Sequence, residues 1–228
     1  MDAKFVLRYV HKRPWLVVVE LGTSNRDHIT IAIAGVGGQG TLLASQIIGH
    51  AAIKSGFSVR ISETFGMSQR GGPVVSHIKI AKGNVYSPLI PLMTADIVVG
   101  FEALESLRAS LKFLKPKGSV IVNTRVIYPV EVNRGDARYP PLEKILEALR
   151  SIAGEVVALD ATELAMKVGN PITANIVMLG ALAALEKLPI KVEELRAAVM
   201  ERVPRDVEVN LRAFDLGLQV VREQLKKS

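Results

Sequence analysis

Ile31-Ala32-Ile33-Ala34-Gly35-Val36-Gly37-Gly38-Gln39-Gly40, followed at once by Thr41-Leu42-Leu43-Ala44, decides the fold. A short apolar run of branched and small residues meets a glycine-rich turn, and the turn opens into a helical pattern. Without side chains the backbone bends sharply and leaves N–H groups free at a helix N-terminus, where anions are favoured. Gly35, Gly37 and Gly40 match the dinucleotide-binding spacing G-x-G-x-x-G, and Glu63 supplies an acid at the end of the next apolar strand.

Working outward, Ile29–Ala34 reads as a strand and Thr41–Ser55 as a helix with Leu42, Ile47, Ile48, Ala51 and Ala52 facing inward. Gly56 closes that helix, and Phe57–Glu63 is the next strand. Val74–Ile80 alternates strictly, and Ala95–Gly100 is another apolar strand. Phe101–Lys115 is expected to be a helix with a stripe of Phe101, Leu104, Leu107, Leu111 and Leu114. Glu102 and Glu105 at its start suit the helix macrodipole, which explains them more simply than a pair of catalytic carboxylates. Gly118–Asn123 and Glu155–Leu159 are further strands, with a helix at Leu142–Ser151 between them. Beyond Asp160 all segments look helical: Ala161–Val168, Thr173–Lys187, Val192–Arg202 and Asp206–Lys226. The last carries Leu211, Phe214, Leu218, Val221 and Leu225 as a stripe that suits packing on the body or on another chain. Strands alternating with helices argue for an α/β fold: a doubly wound, mostly parallel, Rossmann-like sheet with a helical C-terminal region.

A chain of 228 residues has room for a real core, burying roughly 70–75% of its unfolded surface. Residues 1–28 differ in texture and read as an N-terminal extension, with 29–228 as a single domain. Hydrophobic content of 49% and charge of 22% are ordinary. A mean hydropathy of +0.27 suggests apolar surface meant for a partner, although a well-packed α/β core gives the same figure. The absence of cysteine excludes disulfides, thiolate catalysis and any iron–sulfur cluster held by this chain. The early apolar run Trp15–Val19 is short and meets Glu20, and Ile172–Leu185 contains Thr173 and Asn175, so neither reads as a signal or a membrane span. A cytoplasmic protein without a membrane partner is expected. Net charge is +7, but the basic residues are scattered and aromatics amount to 5%, which gives no nucleic-acid-binding pattern.

A nicotinamide site does not explain the second glycine-rich stretch, Glu63-Thr64-Phe65-Gly66-Met67-Ser68-Gln69-Arg70-Gly71-Gly72-Pro73. It places one arginine inside a loop poor in side chains, where Arg70 suits a carboxylate or phosphate, or an ion pair with Glu63. The catalytic inventory is thin. His11, His28, His50 and His77 lack metal-ligand spacing, and no G-x-S-x-G or Walker pattern occurs. No catalytic residue and no metal ligand is therefore assigned. The candidate site is the pair of loops: Gly35, Gly37, Gly38, Gln39 and Gly40 in the first, and Glu63, Gly66, Met67, Gln69, Arg70, Gly71 and Gly72 in the second. Asn175, an amide within an apolar helix, reads as core or as a subunit contact.

These motifs, with Ser87-Pro88-Leu89-Ile90, Ala95-Asp96, Glu102-Ala103-Leu104-Glu105, Val122-Asn123-Thr124 and Gly169-Asn170, resemble the gamma subunit or domain of 2-oxoacid:ferredoxin oxidoreductases. Within that family the chain is most similar to the beta subunit of indolepyruvate ferredoxin oxidoreductase. The likeness spans about Ile29 to Leu188, and Gly66–Gly72 is its most specific block. The resemblance implies a subunit that is not catalytic alone, in an enzyme that oxidatively decarboxylates an indolepyruvate-like or arylpyruvate 2-oxoacid. Coenzyme A is the co-substrate and ferredoxin the electron acceptor. It implies no cofactor bound by this chain alone; thiamine diphosphate, Mg2+ and iron–sulfur clusters are expected in a large alpha subunit. Both glycine loops would then face that partner or coenzyme A. The alternative from the residues is an NAD(P)-dependent dehydrogenase or a dinucleotide-binding regulatory module.

Overall fold

The computed structural model describes residues 28–65 and 71–227. The extension before His28, and Gly66, Met67, Ser68, Gln69 and Arg70, lie outside the described residues.

Six strands form one sheet: β1 (His28–Val36), β2 (Ser58–Phe65), β3 (Pro73–Ala81), β4 (Ala95–Gly100), β5 (Leu114–Asn123) and β6 (Glu155–Leu159), in the order β2-β3-β1-β4-β5-β6. β1, β4, β5 and β6 are parallel neighbours, while β3 pairs antiparallel with both β1 and β2. The expected mostly parallel α/β sheet is thus present, with one reversed strand inserted beside β1. Residues 66–72 are too few for a parallel crossover, which needs about a dozen or more. β2 and β3 therefore meet as a hairpin, and β3 takes the place next to β1 that β2 would hold in a dinucleotide-binding sheet.

The helices are α1 (Thr41–Lys54), α2 (Ala103–Phe113), the short α3 (Val130–Asn133), α4 (Leu142–Ile152), α5 (Ala161–Lys167), α6 (Ala174–Ala184), α7 (Val192–Arg202) and α8 (Val207–Leu225), with a 3-10 turn at Pro171–Thr173 before α6. Alternation along β1 divides the core into two layers. Ile31 and Ile33 face α1, α6, α7 and α8 with Ile78, Ile97 and Ile121. Ala32 and Ala34 face the other way, toward α2 and α4, with Val98, Val120, Ile145 and Leu149.

Two expected helical faces are corrected. Leu42 is 48% exposed; Thr41, Ala44, Ser45, Ile47, Ile48, Gly49, Ala51 and Ala52 are the buried set. At about 100° per residue Leu42 falls well off the arc centred on Ile48. The helix expected over Phe101–Lys115 runs only from Ala103 to Phe113. The Phe101 N–H donates to the Ala34 carbonyl at 2.7 Å, which keeps that residue on the sheet edge. Leu114 already belongs to β5, and Pro116 biases the preceding residue to extended backbone. Leu111 points to solvent, and Leu104 is only partly buried. Leu107 of the expected stripe is buried, with Phe113 beside it, but at the end of β4 the contact is small, because Gly100 leaves no room: a Cβ there would lie 2.2 Å from the Ser106 Cβ.

The final stripe packs on the body. α6 is buried on nearly all sides and meets α8 at backbone distance. A Cβ on Gly180 would lie 2.0 Å from the Phe214 carbonyl oxygen, and one on Gly217 would lie 2.1 Å from that of Val177.

Candidate functional site

The first glycine turn leaves β1 at the carboxyl edge of the sheet, where parallel α/β sheets place their ligands. Gln39 holds it shut: the Val36 N–H donates to its Oε1 at 2.7 Å, and its Nε2 donates to the Phe101 carbonyl at 2.9 Å. Gly35 makes room for that amide, since a Cβ would stand 2.7 Å from Oε1. Gly40 has a φ of 80°, a left-handed conformation in which side chains are strained. Gln39, proposed as a site residue, therefore spends its side chain inside the turn.

The second loop joins the first through the backbone. The Gly37 N–H donates to the Gly72 carbonyl at 2.8 Å, and the Gly71 N–H to the Gly37 carbonyl at 3.4 Å. These bonds carry the β1–β3 ladder past the strand ends. The first turn, which holds Gly35, Gly37, Gly38, Gln39 and Gly40, is thereby joined at Gly37 to Gly71 and Gly72. Glu63 is not: it lies on β2, with all of β3 between it and β1, and accepts from the Ser76 hydroxyl at 2.8 Å. A ribose-binding acid belongs on the strand next to β1, so the fingerprint exists as spacing without its geometry.

Glu102 follows β4 on the same edge and is 1% exposed. One carboxylate oxygen accepts from the Glu105 N–H at 2.9 Å and caps α2. The other accepts from the Tyr139 hydroxyl and from the Ile127 N–H. Burial first, then this hydrogen bond to Glu102, pushes the Tyr139 phenol above its ordinary range. Glu105 pairs with Arg108 at 2.7 Å, and burial raises its carboxyl despite that partner. The two acids thus serve the helix start, as their position suggested. Sequence reasoning missed Tyr139, because no periodicity links it to Glu102.

His77 is buried beneath the loop that follows β3. Its Nδ1 accepts from the Ile90 N–H at 3.4 Å, Nε2 faces the Thr64 hydroxyl at 3.3 Å, and the ring stands edge-on to Phe113. Burial, then Lys112 and Lys79, lower its pKa below the usual value of 6.5. As pH falls, the unfolded chain takes up this proton before the folded one does. The stability His77 contributes is therefore full above pH 6.5 and is lost from there down toward its lower folded value. Melting temperatures from pH 8 to pH 5 should fall more steeply in the natural chain than in His77→Phe; parallel curves would remove this role.

His50 bonds to Glu201 at 2.7 Å on the outer surface. Among the described residues, no group of three or more His, Cys, Asp or Glu side chains is placed to hold a metal ion. None of the described helices is long and apolar enough to cross a membrane. Several exposed apolar side chains lie after the carboxyl ends of strands, Leu42 after β1, Phe65 on β2, Ile127 and Tyr128 after β5, and Ile172, 81% exposed, before α6, while Ile53, Tyr86 and Leu92 are exposed elsewhere.

The family model for pyruvate ferredoxin/flavodoxin oxidoreductase matches residues 30–220. The chain belongs to that family. It is 41% identical over 197 residues to the indolepyruvate oxidoreductase subunit IorB of Pyrococcus horikoshii, covering 86% of this chain and 96% of that one. Its fold is similar to the keto/oxoacid ferredoxin oxidoreductase gamma subunit from Geobacter sulfurreducens, with a TM-score of 0.64 and 28% identity over 85% of this chain and 98% of that one. The 2-oxoglutarate:ferredoxin oxidoreductase of Magnetococcus marinus shares the fold alone, with a TM-score of 0.65 and 22% identity. There 89% of this chain matches only 32% of a much longer polypeptide. The chain is therefore a subunit of a 2-oxoacid:ferredoxin oxidoreductase.

Proposed function

We propose that this subunit walls a reaction centre carried by a larger partner, in an enzyme that converts an arylpyruvate-type 2-oxoacid and coenzyme A to an acyl-CoA. In that reaction C1 leaves as carbon dioxide, the acyl group passes to the coenzyme A sulfur with release of the thiol proton, and two electrons pass to ferredoxin. The observation that carries the reading is the joining of two glycine loops, backbone to backbone, at the carboxyl edge of the sheet. The exposed apolar side chains on that edge support a protein neighbour. The indolepyruvate name of the Pyrococcus relative supports the substrate class, and the Magnetococcus structure, solved with coenzyme A bound, supports the co-substrate.

With no cysteine, this chain has no thiolate to hold an iron–sulfur cluster, and thiamine diphosphate with its magnesium is likewise assigned to the partner. Both groups belong to the partner in this reading. What this chain supplies is shape and exclusion of water, which strengthens electrostatic interactions inside a closed site. Residues 29–228 act as the one functional unit, and residues 1–28 are an extension to it.

The test is affinity capture of the full chain from its native cell. A large, cysteine-rich, thiamine-containing polypeptide should accompany it, and Arg70→Ala should lower that recovery or the coenzyme A dependence of the complex by about tenfold, the scale of one lost charge-assisted contact. Saturable binding of NADH by the isolated chain, without such a companion, would favour the dinucleotide module instead.

A further inference from the structure

β2 is an open edge. Among the described residues no strand pairs with its far side, so every second N–H and C=O along it points away from β3 without a ladder partner. Proteins commonly blunt such an edge with proline or a bulge. β2 has no proline, and its register with β3 runs unbroken from Ser58 opposite Ala81 to Phe65 opposite Val74. An uncovered apolar stripe lies beside it. A Cβ on Gly49 would lie 2.7 Å from Ile61 Cδ1 and 3.6 Å from Val59 Cγ1, so that line of α1 faces the edge strand. Leu42 and Ile53 fall within about 40° of the same line, at about 100° per residue, and are 48% and 63% exposed. The opposite flank of α1 is taken by α7, whose Glu201 bonds to both His50 and Lys54. A strand laid along β2 with apolar side chains on its α1 side would cover the stripe.

The chain itself carries a matching segment. Residues 15–21 alternate with Trp15, Val17, Val19 and Leu21 on one side and Glu20 on the other. We propose that residues 15–21 add to β2 as an antiparallel seventh strand, with Val19 opposite Ile61. Direction follows from the tether. His28 and Ser58 both sit opposite Ala81, so β1 and β2 start at one level. From the far side of β2, Gly22 is three strand spacings from His28, about 14 Å, and the chain between them extends to about 20 Å. A parallel strand would end near Phe65, about 25 Å further along β2 and beyond that reach. Register follows from the side chains. With Val19 opposite Ile61, Leu21 meets Val59, and Trp15 meets Phe65, which is 49% exposed. On the other face Glu20 stands opposite the exposed Arg60, whose side chain, among the described residues, bonds only to the neighbouring Val59 carbonyl at 3.5 Å. Apolar, aromatic and opposite-charge pairs across strands all favour this match. A slip of two residues loses the aromatic and the charge pair, and a slip of one turns the apolar side away from α1.

Because the chain has no cysteine, an engineered disulfide reads the register directly. Val18→Cys with Ser62→Cys, oxidised in the full chain at low concentration, should close within one polypeptide. Closure should be at least about tenfold faster than for Val18→Cys with Ser58→Cys, which lies out of register and beyond disulfide reach. A bond between two polypeptides would give the edge to a second copy and overturn the proposal. It falls equally if neither pair closes, or if both close alike. Hydrogen exchange checks the same contact without new cysteines. The β2 amides that point away from β3 should exchange at least about tenfold more slowly in the natural chain than in Val19→Pro, where the added strand cannot form a regular ladder. Equal exchange overturns the proposal even if the cysteine variants fail to fold. No partner subunit enters either measurement, so the result is independent of the capture experiment.

Discussion

Gly180→Val is expected to destabilise the chain by about 3–5 kcal/mol, a large part of the 5–15 kcal/mol that holds a typical domain folded. The obstruction is backbone, not a side chain that turns aside. An added Cβ would stand 2.0 Å from the Phe214 carbonyl oxygen and 2.9 Å from the Leu218 nitrogen. The two helices must then separate, and separation opens voids around Ile176, Val177, Phe214 and Val221, all fully buried. Gly217→Val should behave alike, because its Cβ would meet the Val177 carbonyl at 2.1 Å. For a chain of this size the melting temperature should drop by roughly 10–15 °C. Gly83→Ala is the control: its Cβ would meet nothing within 4 Å, and its change should stay within about 0.5 kcal/mol. A Gly180→Val chain that melts with the control would show that α6 and α8 do not pack at backbone distance.

Glu102→Ala should cost about 2–4 kcal/mol, the second-largest effect expected. The variant loses the cap on α2, worth about 1 kcal/mol. It also strips the acceptor from the Ile127 N–H and the Tyr139 hydroxyl, at about 1–3 kcal/mol for a donor left unsatisfied. Those two donors tie the segment after β5 to the start of α2. The loss should therefore appear twice: as a lower urea midpoint, and as faster hydrogen exchange at the Ile127 amide than at the core amides of β5. Glu102→Gln keeps an amide oxygen for the cap and should fall between the two. Unchanged exchange at Ile127 in Glu102→Ala would break the proposed link.

Much of the fold was legible because its causes are local. The strand at Ile29–Ala34, the turn Gly35–Gly40 and the helix from Thr41 follow from alternation, from glycine's freedom and from helical period. They stand within a residue or two of the reading. The errors fall where a neighbour overrules the pattern. Leu111 looked like core by spacing, but the buried face of α2 runs through Ala103, Ser106, Leu107, Ser110 and Phe113, with Ser106 set close against Gly100. Glu63 matched a dinucleotide site by its distance along the chain, but β3 separates it from β1. Of the candidate site, the glycines were visible as glycines. That Gly37 exchanges hydrogen bonds with Gly71 and Gly72, and that Asn175 lies against Gly40, was not.

Sequence alone determined the main turns, where most strands and helices lie, and which chemistries are closed to the chain, because backbone sterics, side-chain period and the lack of cysteine act residue by residue. Only the tertiary structure decided the order β2-β3-β1-β4-β5-β6, the joining of the two loops and the neighbour of each polar side chain. Those depend on which distant segments share a sheet edge, and that is settled by packing two apolar layers at once, not by any one stretch of residues.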